Sequence, residues 1–494
     1  MLSLGYDVGS SSIKAAIIEI ETGKLVAGGF YPKEEMKIDS PKPGWAEQNP
    51  EMWWDYTKTL TKQILQENNI DGKEVKSIGI SYQMHGLVLV DKNQNVIRPS
   101  IIWCDSRAAE IGNKAFKKIG KEKCLKQMLN SPGNFTASEL SWVKENEPAN
   151  FKKIYKFMLP GDFIAMKLTG EIVTTYSGLS EGIFWDFKKK KISKNILEYF
   201  EFDEKIFPEA KPTFVVHGQL SKQAAAELGL EEGTAVSYRA GDQPNNAFSL
   251  NVLNPGEIAA TAGTSGVIYG VIDKASYDSK SRVNPFIHVN YTNEHERLGV
   301  LLCVNGTGIL NSWLRKNIGI NLSYEEMNTL AESVNIGSDG VSVLPFGNGA
   351  ERIFEDKIIG CQVLDLDFNR HSKAHLIRAA QEGIAFSLKY GIDIMKAMGL
   401  DIKVIRAGKA NMFLSPVFSQ TLANVTGASI ELFNTDGAQG AARGAAVGAG
   451  YYKSFKDAFG SLNKVAKILP AKKEVKQSVE AYERWLGKLN SFLK

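Results

Sequence analysis

Two short turns carry the residue types that bind phosphate. Gly9-Ser10-Ser11-Ser12 and Gly263-Thr264-Ser265-Gly266 each offer consecutive backbone N–H groups beside hydroxyls. Successive amides in a turn form a concavity for anionic oxygens. Lys14 follows the first turn and adds positive charge, and Asp7 precedes it. Hydrated magnesium prefers one or two such carboxylates together with phosphate oxygens. A single Gly-Ser turn reads more simply as a plain hairpin. Gly9 and Gly263 stand about half a chain apart, however, and two hairpins facing each other would grip a polyphosphate from both sides. The Walker pattern GxxxxGK[ST] is absent, and Gly9 lacks the GxGxxG context of dinucleotide folds.

A second set of residues suits a hydroxyl-bearing ligand. Asp242 follows a strand-like run in Ala240-Gly241-Asp242-Gln243. A carboxylate there could take a proton from a substrate hydroxyl, and Gln243 could bond its neighbour. An Asx-turn residue before Pro244 is an equally good reading in isolation. Gln83, Met84 and His85 interrupt an apolar strand pair, where polar groups often present a binding site. A lone histidine there is more often structural, and no metal-ligand spacing accompanies it. Trp103 offers an apolar plate to a sugar face, or is simply a core residue, with Asp105 and Arg107 as an ion pair beside it.

These residues need strand ends and turns to hold them. Leu2–Ile20 reads as a hairpin around Gly9–Ser12, with a third strand in Leu25–Tyr31. Asn49-Pro50-Glu51 starts a helix over Trp53–Gln66. Val75–Ser81 and Gly86–Val90 are strands, and 105–200 is mostly helical by pattern. The basic run Lys188–Lys191 is read as a solvated turn. Thr234–Ala240 is the strand that leads to Asp242. Ile258–Ile272 repeats the strand–turn–strand opening of the chain, which argues for two related domains. A long helix follows in Ala374–Met398, then a strand in Lys403–Ala407 and a helix carrying Val417, Leu422 and Val425. Gly437–Ala446 is a helical run of small residues, suited to close backbone approach.

The bulk properties narrow the function. The chain has 494 residues, a net charge of +4 and 45 glycines. That charge is too small for a polyanion partner, so no nucleic acid is expected. The longest apolar-leaning stretch, Ile258–Ile272, is 15 residues long and interrupted by Gly263–Gly266, too short to span a membrane. Four scattered cysteines (Cys104, Cys124, Cys303, Cys361) form no CxxC pair. Buried thiols in a reducing cytoplasm are expected, and Met1 runs straight into a strand with no leader.

Taken in order, the short motifs resemble the FGGY carbohydrate kinases over nearly the whole chain. They are Asp7–Lys14, Pro43–Pro50, Gln83-Met84-His85-Gly86, Trp103–Arg107, Leu159–Asp162, Gly241-Asp242-Gln243, Gly263–Gly266, Glu382–Ala385 and Gly440–Arg443. The resemblance implies an α/β fold of two actin-like ATPase (ribonuclease H-like) domains, mixed sheets flanked by helices, with an interdomain cleft. The expected division is residues 1–250, binding sugar, and 251–494, binding nucleotide. It implies Asp242 as the catalytic base, and Gln83, Met84, His85, Trp103, Asp242 and Gln243 around the sugar. It implies Gly9, Ser10, Ser11, Lys14, Gly263, Thr264, Gly306, Gly408 and Asn411 along ATP, with Asp7 at Mg²⁺. Gln-Met-His-Gly looks most like the family's D-xylulose kinases, so the expected acceptor is the terminal hydroxyl of a ketopentose. Asp242-Gln243 is a pair that glycerol kinases also show, which keeps glycerol, ribulose and gluconate as alternatives. An ATP-driven conformational protein on the same fold is the alternative of another class. The expected partners are the sugar, ATP and at most a second copy of the chain.

Overall fold

A computed structural model covers Met1–Lys494. Its frame is two mixed sheets. The first is built from β1 (Leu2–Val8), β2 (Ile13–Glu19), β3 (Leu25–Tyr31), β4 (Val75–Tyr82), β5 (Gly218–Gln219) and β6 (Ala235–Gly241), in the order β5-β6-β4-β1-β2-β3. The second is built from β7 (Glu257–Ala262), β8 (Gly266–Ile272), β9 (Asn284–Ile287), β10 (Leu298–Val304), β11 (Val404–Gly408), β12 (Ser429–Phe433) and β13 (Lys464–Ile468). Its order is β9-β10-β8-β7-β11-β12-β13.

The two sheets share one design. In each, an antiparallel hairpin (β1/β2, β7/β8) is joined by a third antiparallel strand (β3, β10). On the other side two parallel strands follow (β4 and β6; β11 and β12), then an antiparallel edge. Strand β9 is an extra edge of the second sheet. The half-chain repeat of the two turns is therefore a repeat of topology: each turn closes the leading hairpin of its sheet.

The helices follow local chemistry. Helix α1 (Pro50–Glu67) begins where expected, with the Asn49 side chain accepting from Glu51 N at 3.1 Å. The segment between β4 and β5 holds α2 (Pro160–Thr169) and α3 (Tyr176–Glu181) among other short helices and two- or three-residue strands. The basic run lies in a turn, as expected, with Lys191 already in the short strand beyond it. Helix α4 (Asp242–Ser249) leaves β6 directly, and α5 (Gly308–Asn317) follows β10. The long helix α6 (Lys373–Ala397) is capped by Ser372, and α7 (Pro416–Thr426) by Ser415. Then come α8 (Gly437–Gly448) and α9 (Val475–Leu493). No helix is long and apolar enough to cross a membrane.

Helix α8 departs from a simple two-halves picture. It belongs by sequence to residues 251–494 yet packs on β1, β4 and β6 of the first sheet. Glycines on both surfaces make this possible. A Cβ on Gly5 would lie 2.1 Å from the Ala438 carbonyl oxygen, and one on Gly79 2.1 Å from that of Ala441. From the helix side, a Cβ on Gly448 would lie 1.8 Å from Ser237 O. The chain thus leaves β12 for the first sheet and returns to lay down β13.

The cysteines correct one expectation. All four are free, but only Cys124 is buried; Cys303 is partly covered, and Cys104 and Cys361 are exposed. Cys361 lies on a strand, Gly360–Leu364, whose residues alternate outward, and Cys104 lies in the turn beyond Ser100–Ile101.

Candidate active site

The two turns share a hydrogen-bonding pattern. In the first, the carbonyls are tied back: Ser10 O accepts from Gln48 Nε2 at 2.7 Å, Ser11 O from Met36 N at 2.8 Å and Ser12 O from Gly9 N at 3.1 Å. The amides of Ser10, Ser11 and Ser12 donate to nothing in the chain. In the second, Gly263 O and Thr264 O accept from the first amides of α5, Gly308 N at 2.9 Å and Ile309 N at 3.1 Å. The Gly263 and Thr264 amides are again free. Occupied carbonyls and free amides leave each turn with its donors available, the arrangement that suits an anion.

Asp7 stands near the end of β1, beside the first turn. Lys14 lies directly opposite on β2 and Ser81 opposite on β4. Opposed residues share a face of the sheet. Ser81 Oγ donates to Asp7 Oδ1 at 2.9 Å, while Oδ2 takes no hydrogen bond from the chain. Gly437, at the head of α8, keeps that oxygen accessible, since a Cβ there would sit 2.7 Å from it. Burial raises the Asp7 carboxyl; Lys14 and Ser81 oppose the rise, and Asp436 adds to it.

Asp242 is the first residue of α4, placed there because β6 ends at Gly241. Burial pushes its carboxyl up to about 7, with the charge of Asp7 adding to the shift. Gln243 Nε2 donates to Asp242 Oδ2 at 3.1 Å. Met84 packs against Gly241, where a Cβ would meet Met84 Cγ at 2.6 Å. Gln83, Met84 and His85 leave the end of β4, the strand next to β6. His85 and Gly86 take positive φ of 64° and 80°, a left-handed turn that reverses the chain into the pocket wall. Burial holds His85 neutral, with its pKa lowered to about 4.

Two buried amide oxygens here lack partners, Gln83 Oε1 and Gln243 Oε1, while the Tyr82 hydroxyl and the Glu181 carboxyl face each other. Unsatisfied buried polar groups are rare in folded proteins, and a polar ligand accounts for both at once. Beneath them, Arg239 Nε lies 2.9 Å from Asp162 Oδ1, both fully enclosed. This is a charge contact without hydrogen-bond alignment.

The expected residues do not all converge. Gly263, Thr264 and Asn411 line one cavity of about 490 Å³, together with Gly308, Asn311 and Tyr324. Gly306 does not line it. A Cβ there would lie 1.4 Å from Pro345 O, so Gly306 serves packing and borders a separate apolar cavity behind α5. Gly308, two residues on, lines the first cavity instead. Gly408 ends β11 with no side chain against it, outside the lining of that cavity. Trp103 is 55% exposed, and its Nε1 donates to Ser10 Oγ at 3.2 Å. It stands at the rim beside the first turn and not as a buried plate. The Asp105–Arg107 pair forms as expected, at 2.6 Å, and Arg107 also reaches Glu47 at 2.6 Å. Glu181, Ser81 and Asp436 carried no motif signal. Glu181 was detectable only as an acid inside the small and apolar run Ser177–Ile183.

A duplicated sheet whose two leading turns present free amides, with the buried Asp242 carboxyl near Asp7 of the first, is the arrangement of the actin-like ATPase fold. The chain belongs to the FGGY family of carbohydrate kinases: the family's N-terminal domain matches residues 2–249 and its C-terminal domain residues 258–452. It is an enzyme that transfers phosphate from ATP to a sugar hydroxyl. The xylulose kinase of Haemophilus influenzae is 28% identical over 506 aligned positions, covering 99% of each chain. Among solved structures, the xylulose kinase of Rhodospirillum rubrum superposes with a TM-score of 0.89 at 24% identity, over all of both chains. The gluconate kinase of Lactobacillus acidophilus gives 0.88 at 21% identity, over 100% of this chain and 98% of that one. Likeness at that identity establishes the fold alone.

Proposed function

We propose that the chain phosphorylates the terminal hydroxyl of a ketopentose, D-xylulose first. The observation that carries the reading is Asp242: a buried carboxyl pushed up to about 7, at the head of α4, beside the Met84 backbone that leads into His85. The names of the relatives, xylulose kinases at 28–29% identity, support the choice of sugar.

Phosphoryl transfer asks a protein mainly for in-line placement and charge neutralisation. Asp242 accepts the proton of the attacking hydroxyl on its carboxylate, and a base whose pKa lies near the working pH is well matched to that task. Gln243 and Gln83, with unpaired buried oxygens, orient neighbouring hydroxyls. The free amides of Ser10–Ser12 and of Gly263–Thr264 receive phosphate oxygens from opposite sides. Lys14 adds charge on the first side. The cavity of about 490 Å³ beyond Gly263 is of a size for the nucleoside. Magnesium fits the accessible Oδ2 of Asp7, where it would neutralise phosphate charge during transfer. Closure of the two halves excludes water and suppresses hydrolysis of ATP.

The test is an ADP-release assay on the purified chain with D-xylulose, D-ribulose, glycerol and D-gluconate. D-Xylulose should give the highest kcat/KM. A higher value for any other member reassigns the substrate. ADP release that ignores every sugar but responds to a protein partner overturns the sugar-kinase reading of the pocket.

A further inference from the structure

We propose that Glu181 is a positioning residue for the sugar pocket: it holds His85 in its left-handed turn and fixes the imidazole as the Nδ1–H tautomer, leaving Nε2 to accept a hydrogen bond from a substrate hydroxyl. The proposal rests on the reading above for the nature of the ligand.

A histidine at φ 64° is strained unless its surroundings hold it there. Glu181 holds it twice. His85 N donates to Glu181 Oε1 at 3.1 Å, and His85 Nδ1 lies 3.2 Å from the Glu181 carbonyl oxygen. A carbonyl oxygen only accepts, so Nδ1 carries the proton. A neutral imidazole protonated at Nδ1 has a bare Nε2, and that nitrogen has no partner in the chain. The ring faces leave little freedom. Phe135 packs edge-on at 4.7 Å between centroids, and Phe286 of β9 lies at 5.6 Å.

Glu181 is itself rigidly placed. It ends α3, whose Ser177 Oγ donates to Ile287 O and whose Ser180 Oγ accepts from Ile287 N, both at 2.9 Å. Those bonds clip α3 to the edge strand of the second sheet. The side chain is enclosed, the Tyr82 hydroxyl faces its carboxyl, and a Cβ on Gly241 would meet Oε2 at 2.8 Å. Asp162 and Asp242 both act on it electrostatically, and enclosure raises the carboxyl well above its ordinary value. The useful atom of Glu181 is Oε1, which accepts from His85 N. Glutamine keeps that atom and alanine does not.

The test uses Glu181→Ala and Glu181→Gln in the full chain, with ¹⁵N spectra of the histidine rings. In the unmodified protein His85, one of six histidines, should show the Nδ1–H signature. Glu181→Ala should raise the sugar KM about tenfold, with the ATP KM unchanged and kcat altered less than about threefold, while the Nδ1–H signature, fixed by the backbone carbonyl of residue 181, is retained. Glu181→Gln, which keeps the acceptor Oε1, should recover most of the loss. An Nε2–H tautomer in the unmodified protein overturns the proposal without any variant, so a variant that fails to fold does not shelter it. So does a Glu181→Ala enzyme with unchanged sugar KM, or a Glu181→Gln enzyme as impaired as the alanine one. The tautomer measurement needs no sugar. It can fail while the kinase reading stands, and the sugar panel can fail while the tautomer is confirmed.

Discussion

Asp242 ionises against its surroundings: burial raises its folded-state pKa to about 7, against an ordinary 3.8. A carboxyl whose folded pKa is raised binds its proton more tightly in the folded state. Its contribution to stability is complete below about pH 4 and is lost as pH rises toward 7. Two outcomes follow from this one shift. Asp242→Asn should abolish sugar phosphorylation while sparing sugar binding, and turnover above a few per cent of the parent would remove Asp242 as the base. The same substitution should raise the melting temperature, by more at pH 8 than at pH 5, in paired thermal scans. The kcat/KM profile should rise with an acidic limb near pH 7. His85, lowered to about 4, stays neutral across that range and adds no second limb. Asp242 was legible in the sequence because it follows a strand directly. Glu181 was not, because a carboxyl that acts through another side chain leaves no spacing of its own. Gly306 shows that glycine signals close approach of backbone without naming what approaches: the neighbour on its Cβ side is Pro345 O.

The close seat of α8 on the first sheet sets a sharp contrast between glycines. Gly448→Ala places a methyl 1.8 Å from Ser237 O, a backbone atom that cannot step aside. It should destabilise the protein by about 3 kcal/mol or more. Gly487 lies exposed in α9 with nothing within 4 Å of its Cβ position. Gly487→Ala should stabilise by about 0.5–1 kcal/mol through helix propensity alone. Urea midpoints of the two variants measure both, and equal shifts would refute the packing account. Most elements were readable because their apolar periods are local. The strand starting at Val75 and the long helix Lys373–Ala397 lie within a residue or so of where the pattern puts them. The small residues of Gly437–Gly448 announced a close partner, but the partner is the first sheet (β1, β2, β4 and β6), whose strands precede it by hundreds of residues. No local period carries that information.

For the whole molecule we propose that residues 1–250 are not a self-sufficient folding unit, although they contain every strand of the first sheet. Without α8, the face of β1, β4 and β6 that receives Ala441 and Ala445 is bare. The 1–250 fragment should bind a hydrophobic dye and aggregate, and residues 251–494 supplied in trans should reduce the dye signal. A fragment that unfolds cooperatively alone, with no dye binding, would contradict this. Two connections carry α8 out and back, and a third links α4 to β7. The seat of α8 bears on biosynthesis as well. Translation finishes the first sheet at Gly241, yet its covering helix is complete only at Gly448, about two hundred residues later. At ribosomal rates that interval is on the order of 10–40 s. Throughout it the nascent chain presents an open, largely apolar sheet face, so the first half of this kinase, although made first, stays unsealed until α8 emerges and is the natural place for a chaperone to wait.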